Sequence, residues 1–189
     1  MNVDEMRAIV KEKLPAGRFE HTVRVAETAV QLAKQYGESI EKAEVAGLLH
    51  DYAKCDSKDQ LKRQMEQYDL PMILLDYHKE LWHGPVGAMI AKEKFAISDD
   101  DAINAIYYHT TGREKMSKLE LILFVADYIE PGRKYPGVEE VRDVARVDLE
   151  KAAQIVLKNT IIHLANRGAT IFPDTILAYN ELTKKIDLR

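Results

Sequence analysis

His21, the adjacent pair His50-Asp51, His109 and Asp127 recur along the chain, and His83 is a sixth residue of the same kind. Imidazoles and carboxylates together are the ligand set of hard and borderline divalent cations. Each of these residues lies in or at the end of a segment that otherwise reads as an apolar helix, so a helical core would gather them at one place. A metal site assembled this way predicts hydrolysis by activated water. Asp127 carries the most weight. It ends the six-residue apolar run Leu121 to Ala126 and shares a face with Leu123, four positions earlier. An unpaired carboxylate buried there costs several kcal/mol or must protonate, and a divalent cation or an arginine partner removes that cost. His50 lies on the stripe that buries Ala46 and Leu49, His21 precedes Val25 by one turn, and His109 follows Ala105 and Ile106 on their buried face. Asp51 projects about 100° from His50 around a helix, yet reaches the same ion if the pair sits near the helix end. The bland alternative is a set of independent core polar residues satisfied by backbone carbonyls and by one another. Five inward residues of ligand type, drawn from four helices, weigh against it.

The elements that must position these groups are helices. Nearly every segment carries apolar residues at i, i+3 and i+4, and none sustains period-2 alternation. The spacing predicts helices over about Asp4 to Leu14, Phe19 to Tyr36, Ile40 to Ala53 and Lys58 to Gln67. After the irregular DLPMILLDYHKELWHG come Pro85 to Phe95, Asp99 to His109, Lys118 to Ile129, Val138 to Val144, Leu149 to Asn166 and Thr175 to Ile186. Pro15-Ala16-Gly17 reads as a stop and Gly37 as a C-terminal cap. With no internal repeat, low-complexity tract or long linker, the expected architecture is an all-α bundle in one domain, residues 1–189. Its metal-site core covers about residues 18–130, and the helices of residues 138–189 pack on it.

The chain has 189 residues, 46% hydrophobic and 31% charged, enough for a sizeable core and with no sign of wholesale disorder. A net charge of −4 argues against nucleic acid as a partner, since backbone binding needs a basic surface. The single cysteine, Cys55, suits a reducing compartment and reads as inert. The opening MNVDEMRAIVKEK lacks the apolar stretch of a signal peptide, and the longest apolar run falls far below the ~18 residues of a membrane span. The expected location is the cytoplasm, with no membrane contact. Several polar residues read as structural. Ser98-Asp99-Asp100-Asp101 is a helix start with Ser98 as its cap, His78 and His163 are ordinary histidines, and Arg7, Lys11, Lys184 and Lys185 are solvated faces.

The order His21, His50-Asp51, Asp127 in a helical bundle resembles the HD-domain superfamily of metal-dependent phosphohydrolases, named for its adjacent His-Asp pair. That resemblance spans roughly Arg18 to Asp127. The pieces AGLLHDYAK, WHGPVGAMIAKE, AIYYHTTG, FVADYIEPGRKYPG and GATIFPDTILAYN look more closely like its YqeK-type branch and extend the match over most of the chain. The resemblance implies hydrolysis of diadenosine tetraphosphate at its centre, giving two ADP. It implies that His21, His50, Asp51 and Asp127 hold the principal metal, and that His83 and His109 lie near a second ion or the substrate phosphates, so one or two ions are expected. Iron is favoured, manganese suits the same ligands, and zinc and magnesium stay open.

A polyphosphate needs further cations. Arg18, one turn before His21, and Lys54, one turn after His50-Asp51, project from the ligand faces, and Arg133 follows Asp127 in the PGRKYPG loop. Thr110 can offer a hydroxyl, and the resemblance sets Thr170, Ile171, Phe172, Pro173 and Asp174 against the nucleotide. Asp51 is expected to double as proton acceptor, and His83 and His109 to act on the reacting phosphates. The expected ligand is a dinucleoside polyphosphate or ADP, and a homodimer is compatible with the chain. Two other functions stay open: a 5′-nucleotidase or other phosphohydrolase acting on mononucleotides, and a non-catalytic nucleotide sensor.

Overall fold

The computed structural model describes residues 1–188. Among them the chain forms ten α-helices and no strand: α1 Val3–Lys13, α2 Ala16–Tyr36, α3 Ile40–Leu49, α4 Lys58–Gln67, α5 His83–Lys94, α6 Asp100–Tyr108, α7 Lys118–Ile129, α8 Val138–Ala145, α9 Leu149–Asn166 and α10 Pro173–Asp187. Two short 3-10 helices, Met72–Asp76 and Lys79–Leu81, lie in the irregular stretch between α4 and α5. Starts are set by capping chemistry. Asn2, Ser57 and Ser117 each close a reciprocal capping box with the residue three positions on.

α5 opens at His83 and α10 at Pro173, each two residues before the expected start, and three further boundaries differ from the sequence expectation in ways that bear on the site. α2 begins at Ala16, because Pro15 supplies the extended cap and its carbonyl accepts from Phe19 N–H at 2.9 Å. Arg18 therefore sits in the first turn of α2. α6 is capped by Asp99, whose side chain accepts from Ala102 N–H, and not by Ser98. Most consequential, α3 ends at Leu49 and does not run to Ala53. There the His50 ring Nδ1 donates to the Gly47 carbonyl at 2.7 Å, a bond the helix would otherwise complete with its own backbone. The chain then winds through tight turns, Tyr52 N–H to Leu49 O and Lys54 N–H to Asp51 O, which bring Asp51 round beside His50.

α7 is the centre of the bundle. Ile122, Leu123, Val125 and Ala126 are fully buried, and α2, α3, α6, α8 and α9 all pack against it. The Ile, Leu and Val side chains among them each contribute about 1.5–3 kcal/mol on burial. α2 and α3 approach at Gly47, where a Cβ would lie 2.5 Å from the Ala26 Cα. α10 lies on α9 at the C-terminal side. No described helix is long and apolar enough to cross a membrane.

Candidate metal centre

Five helices deliver six polar side chains to one region. His21 comes from α2, His50 caps α3 with Asp51 just beyond it, His83 opens α5, His109 caps α6, and Asp127 lies in the last turn of α7. His21, His50, Asp51, His83 and His109 are all buried, while the Asp127 side chain keeps 25% of its surface exposed. The ligand-capable atoms of His21, His50 and Asp127 lie within 4.8 Å of one another, and so do those of His50, Asp51 and His109.

The ring tautomers explain why this arrangement suits a cation. His21 Nδ1 meets Glu130 Oε1 at 3.0 Å, His50 Nδ1 meets the Gly47 carbonyl at 2.7 Å, and His109 Nδ1 meets the Ile106 carbonyl at 2.7 Å. All three partners accept, so each neutral ring donates through Nδ1 and presents the Nε2 lone pair inward. His21 Nε2 then faces Asp127 Oδ1 at 3.1 Å, acceptor against acceptor, and the Nε2 atoms of His21 and His50 are buried with no hydrogen-bond partner. A positive charge between them resolves both problems, so these residues fit a divalent ion.

Asp51 divides its two oxygens. Oδ2 faces His50 Nε2 at 3.5 Å and His21 Nε2 at 3.7 Å, while Oδ1 faces His83 Nε2 at 3.1 Å and His109 Nε2 at 3.7 Å. His83 Nε2 also lies 3.0 Å from His109 Nε2, leaving His83 Nδ1 buried and unpartnered. Burial pushes the His83 pKa down to about 4 and holds that of His50 below its ordinary value. Burial acts to raise the two aspartates, yet both are held below the ordinary carboxylate range, Asp51 by the His83 Nε2–H at its Oδ1 and Asp127 by the Arg133 guanidinium. His50 and His83 are therefore held neutral and the two carboxylates ionised, the protonation state that metal ligation requires.

Around this core the structure brings in two of the expected cations directly. Arg18 Nη1 donates to Asp51 Oδ2 at 2.9 Å, and Arg133 holds Asp127 through Nη2 to Oδ1 at 2.7 Å and Nε to the backbone carbonyl at 3.0 Å. Thr110 Oγ1 lies 3.2 Å from His109 Nε2. Lys54 is engaged elsewhere, 2.5 Å from Glu80 of the second 3-10 helix, although its charge is felt at His83. Among the described residues no hydrogen bond or ion pair joins the stretch Thr170 to Asp174 to the six polar residues. Phe172 packs edge-on to Tyr77 with centroids 5.0 Å apart, and burial together with nearby Glu114 raises the Asp174 carboxyl. His78 caps the second 3-10 helix by accepting from Glu80 N–H, as an ordinary structural histidine does.

Glu130 is the residue that sequence reading overlooks. It is 2% exposed, accepts from Arg24 Nε at 2.6 Å and Gly132 N–H at 2.5 Å, and orients His21. Burial acts to raise its pKa, yet Arg24 and His21 bring it down to about 2. Standing before Pro131-Gly132 it reads only as a helix end; its position three residues after Asp127 was the available signal.

A cavity of about 690 Å³ opens beside the centre. His109, Thr110, Asp127 and Arg133 contribute to its wall, and α7, α9 and the loop after α7 supply the rest.

A family model described as HD domain matches residues 18–132. The chain is 45% identical over 182 residues to the symmetrical bis(5′-nucleosyl)-tetraphosphatase of Bacillus subtilis, covering 96% of this chain and 98% of that protein. It is 42% identical to the Staphylococcus aureus protein of the same name, covering 95% and 94%. The crystal structure of a predicted HD superfamily hydrolase involved in NAD metabolism, from Clostridium acetobutylicum, superposes with a TM-score of 0.94 at 38% identity, covering 98% of each chain.

Proposed function

The chain belongs to the HD-domain family, and we propose that it is a metal-dependent hydrolase that splits diadenosine tetraphosphate symmetrically into two ADP. The observation that carries the chemistry is the pair of buried, unpartnered Nε2 atoms of His21 and His50 facing the carboxylates of Asp51 and Asp127. The names of the bacterial relatives supply the substrate.

His21, His50, Asp51 and Asp127 are the proposed principal ligands. A divalent cation held there supplies Lewis acidity and lowers the pKa of water toward neutrality. The second oxygen of Asp51, with His83 and His109, forms the proposed place for a second ion or for substrate phosphate. Iron is the proposed metal and manganese the alternative, on the strength of a mixed imidazole and carboxylate ligand set.

In the reaction, water attacks one of the two central phosphorus atoms, its proton passes to Asp51, and the bond from that phosphorus to the central bridging oxygen breaks. One ADP leaves with the bridging oxygen and the other carries the oxygen of water. Arg133 and Arg18 are already oriented by Asp127 and Asp51, so they meet phosphate oxygens with little further ordering cost. His83, neutral at pH 7, acts through an Nε2 proton as a hydrogen-bond donor and not as a cation. Lys54 reaches phosphate by exchanging Glu80 for it, and Thr110 adds a hydroxyl. A further nucleotide contact is assigned to Thr170 to Asp174, where Phe172 and Tyr77 offer aromatic surface. The cytoplasm is the proposed location, in keeping with the free, exposed thiol of Cys55.

Product analysis of metal-loaded protein with diadenosine tetraphosphate, with and without chelator, tests the reading. ADP as sole product, lost on chelation, supports it. AMP plus ATP overturns the cleavage site, and no turnover with iron, manganese or cobalt overturns the activity.

A further inference from the structure

The turn from Asp127 to Arg133 is closed from two directions. From within, the Arg133 guanidinium folds back on the Asp127 carboxylate and carbonyl, and the Glu130 carboxylate accepts from the Gly132 N–H. From outside comes Arg142 of α8. Its Nε donates to the Ile129 carbonyl at 2.9 Å, and its Nη2 donates to the Glu130 carbonyl at 2.9 Å and to the Arg133 carbonyl at 3.0 Å. Three N–H groups of one planar fork thus join both limbs of the turn. The remaining Nη1 donates to Glu139 of the same helix, which fixes the fork in its plane.

α8 is a firm base for such a brace. Val138, Val141 and Ala145 are buried, and the helix packs on α7 and α9. The Ile129 and Glu130 carbonyls belong to the end of α7, where any cation meets unpaired acceptors and the negative end of the dipole. The Arg133 carbonyl does not belong to that helix end. Its inclusion ties the chain beyond α7 back to α7, at the residue whose side chain holds Asp127.

We propose that Arg142 is a positioning residue for the reaction: by holding the Arg133 backbone against the end of α7, it keeps the Arg133 guanidinium beside Asp127, where phosphate arrives. The proposal rests on the phosphohydrolase reading above, in which Arg133 meets phosphate oxygens. Without the brace, Arg133 must be immobilised as the anion binds, and that ordering weakens binding by roughly three- to tenfold.

Arg142→Lys separates bracing from charge. Lysine keeps a cation at the end of α7 but has no planar fork to join three carbonyls. Calorimetric titration of manganese-loaded protein with inorganic pyrophosphate is expected to show binding weakened roughly three- to tenfold in this variant. In an Arg133→Gln background the same substitution should change pyrophosphate affinity by less than about 1.5-fold, because its effect passes through Arg133. An equal loss in both backgrounds, or no loss in a folded Arg142→Lys protein, overturns the proposal. In the metal-free protein, nitrogen-15 NMR follows the Arg133 Nε–H, which donates to the Asp127 carbonyl. Faster exchange of that proton in Arg142→Lys supports the brace, and an unchanged rate overturns it. Arg142→Gln takes the place of lysine in both measurements if Arg142→Lys does not fold. The two readings fail separately. Pyrophosphate weakened by Arg133→Gln but not by Arg142→Lys removes the brace alone; pyrophosphate bound as tightly by Arg133→Gln as by the parent removes the phosphate role of Arg133 and the proposal with it.

Discussion

His21 and Glu130 meet at 3.0 Å although 109 positions separate them, and that contact decides which nitrogen of His21 faces the metal centre. Glu130 is itself held by Arg24 and by the Gly132 N–H. Arg24 remains a third exposed, so losing its partner strands no buried charge and the cost in stability is modest. The cost falls on orientation. Glu130→Gln should weaken metal binding by about 10–100-fold, the usual penalty for losing a carboxylate behind a ligating histidine. Competition against a chromophoric chelator measures it, and unchanged affinity removes Glu130 from the site.

Asp127→Asn tests the acceptor-against-acceptor contact. The variant should lose metal and hydrolysis together, yet its metal-free form should melt no lower than metal-free parent, because Asn can donate to His21 Nε2 where Asp only repels. Thermal melts with and without metal check this. With free metal at 100 times its Kd, the parent should gain about 2.7 kcal/mol from the ion and the variant nothing. A metal-loaded, active variant would sink the ligand assignment.

Gly47→Ala sets a methyl group 2.5 Å from the Ala26 Cα, a backbone atom that cannot rotate away. α2 and α3 must part, at a cost of about 1–3 kcal/mol in urea unfolding. Because His21 rides on α2 and His50 caps α3, weaker metal binding should accompany the loss. A Gly47→Ala protein of parental stability contradicts so close an approach of the two helices.

Asp99 caps α6, the helix that carries His109, and also pairs with Lys42 at 2.6 Å. Lys42 and the Ala102 N–H lower its folded pKa, so its contribution is present above the ordinary carboxylate range and is lost as pH falls through the folded value. Asp99→Ala should cost about 1 kcal/mol at pH 7. The difference from parent should shrink below pH ~4, where the unfolded carboxyl protonates. Denaturant titrations at pH 7 and pH 3 decide it, and a cost that grows on acidification is the contrary result.

Much of this architecture could be read from periodicity and caps. The Ser57/Gln60 and Ser117/Glu120 boxes mark their helices in plain sequence, and the apolar run before Asp127 announces the central helix. The end of α3 could not be read, because it depends on a ring nitrogen of His50 replacing a backbone donor at Gly47. Ser98 and Asp99 are equally good caps on paper, and only Lys42 from another helix favours the second. The burial of Glu130 depends on Arg24, and the engagement of Lys54 on Glu80; both pairings are tertiary. The six polar residues of the centre were legible because burial in helices is costly for each, whereas the cavity wall, made of ordinary Tyr, Asn and Thr, carries no such mark.

The dispersal of the centre over α2, α3, α5, α6 and α7 has a consequence for synthesis of the chain. His21, His50 and Asp51 emerge from the ribosome early, but Asp127, and the Glu130 that orients His21, follow only when α7 is made. A nascent chain short of α7 holds an incomplete set in which His50 keeps its Gly47 partner but His21 lacks the carboxylate that turns its ring. With the proposed ligand set, metal loading is deferred until the central helix has docked, and capture of the ion would report that the bundle has closed.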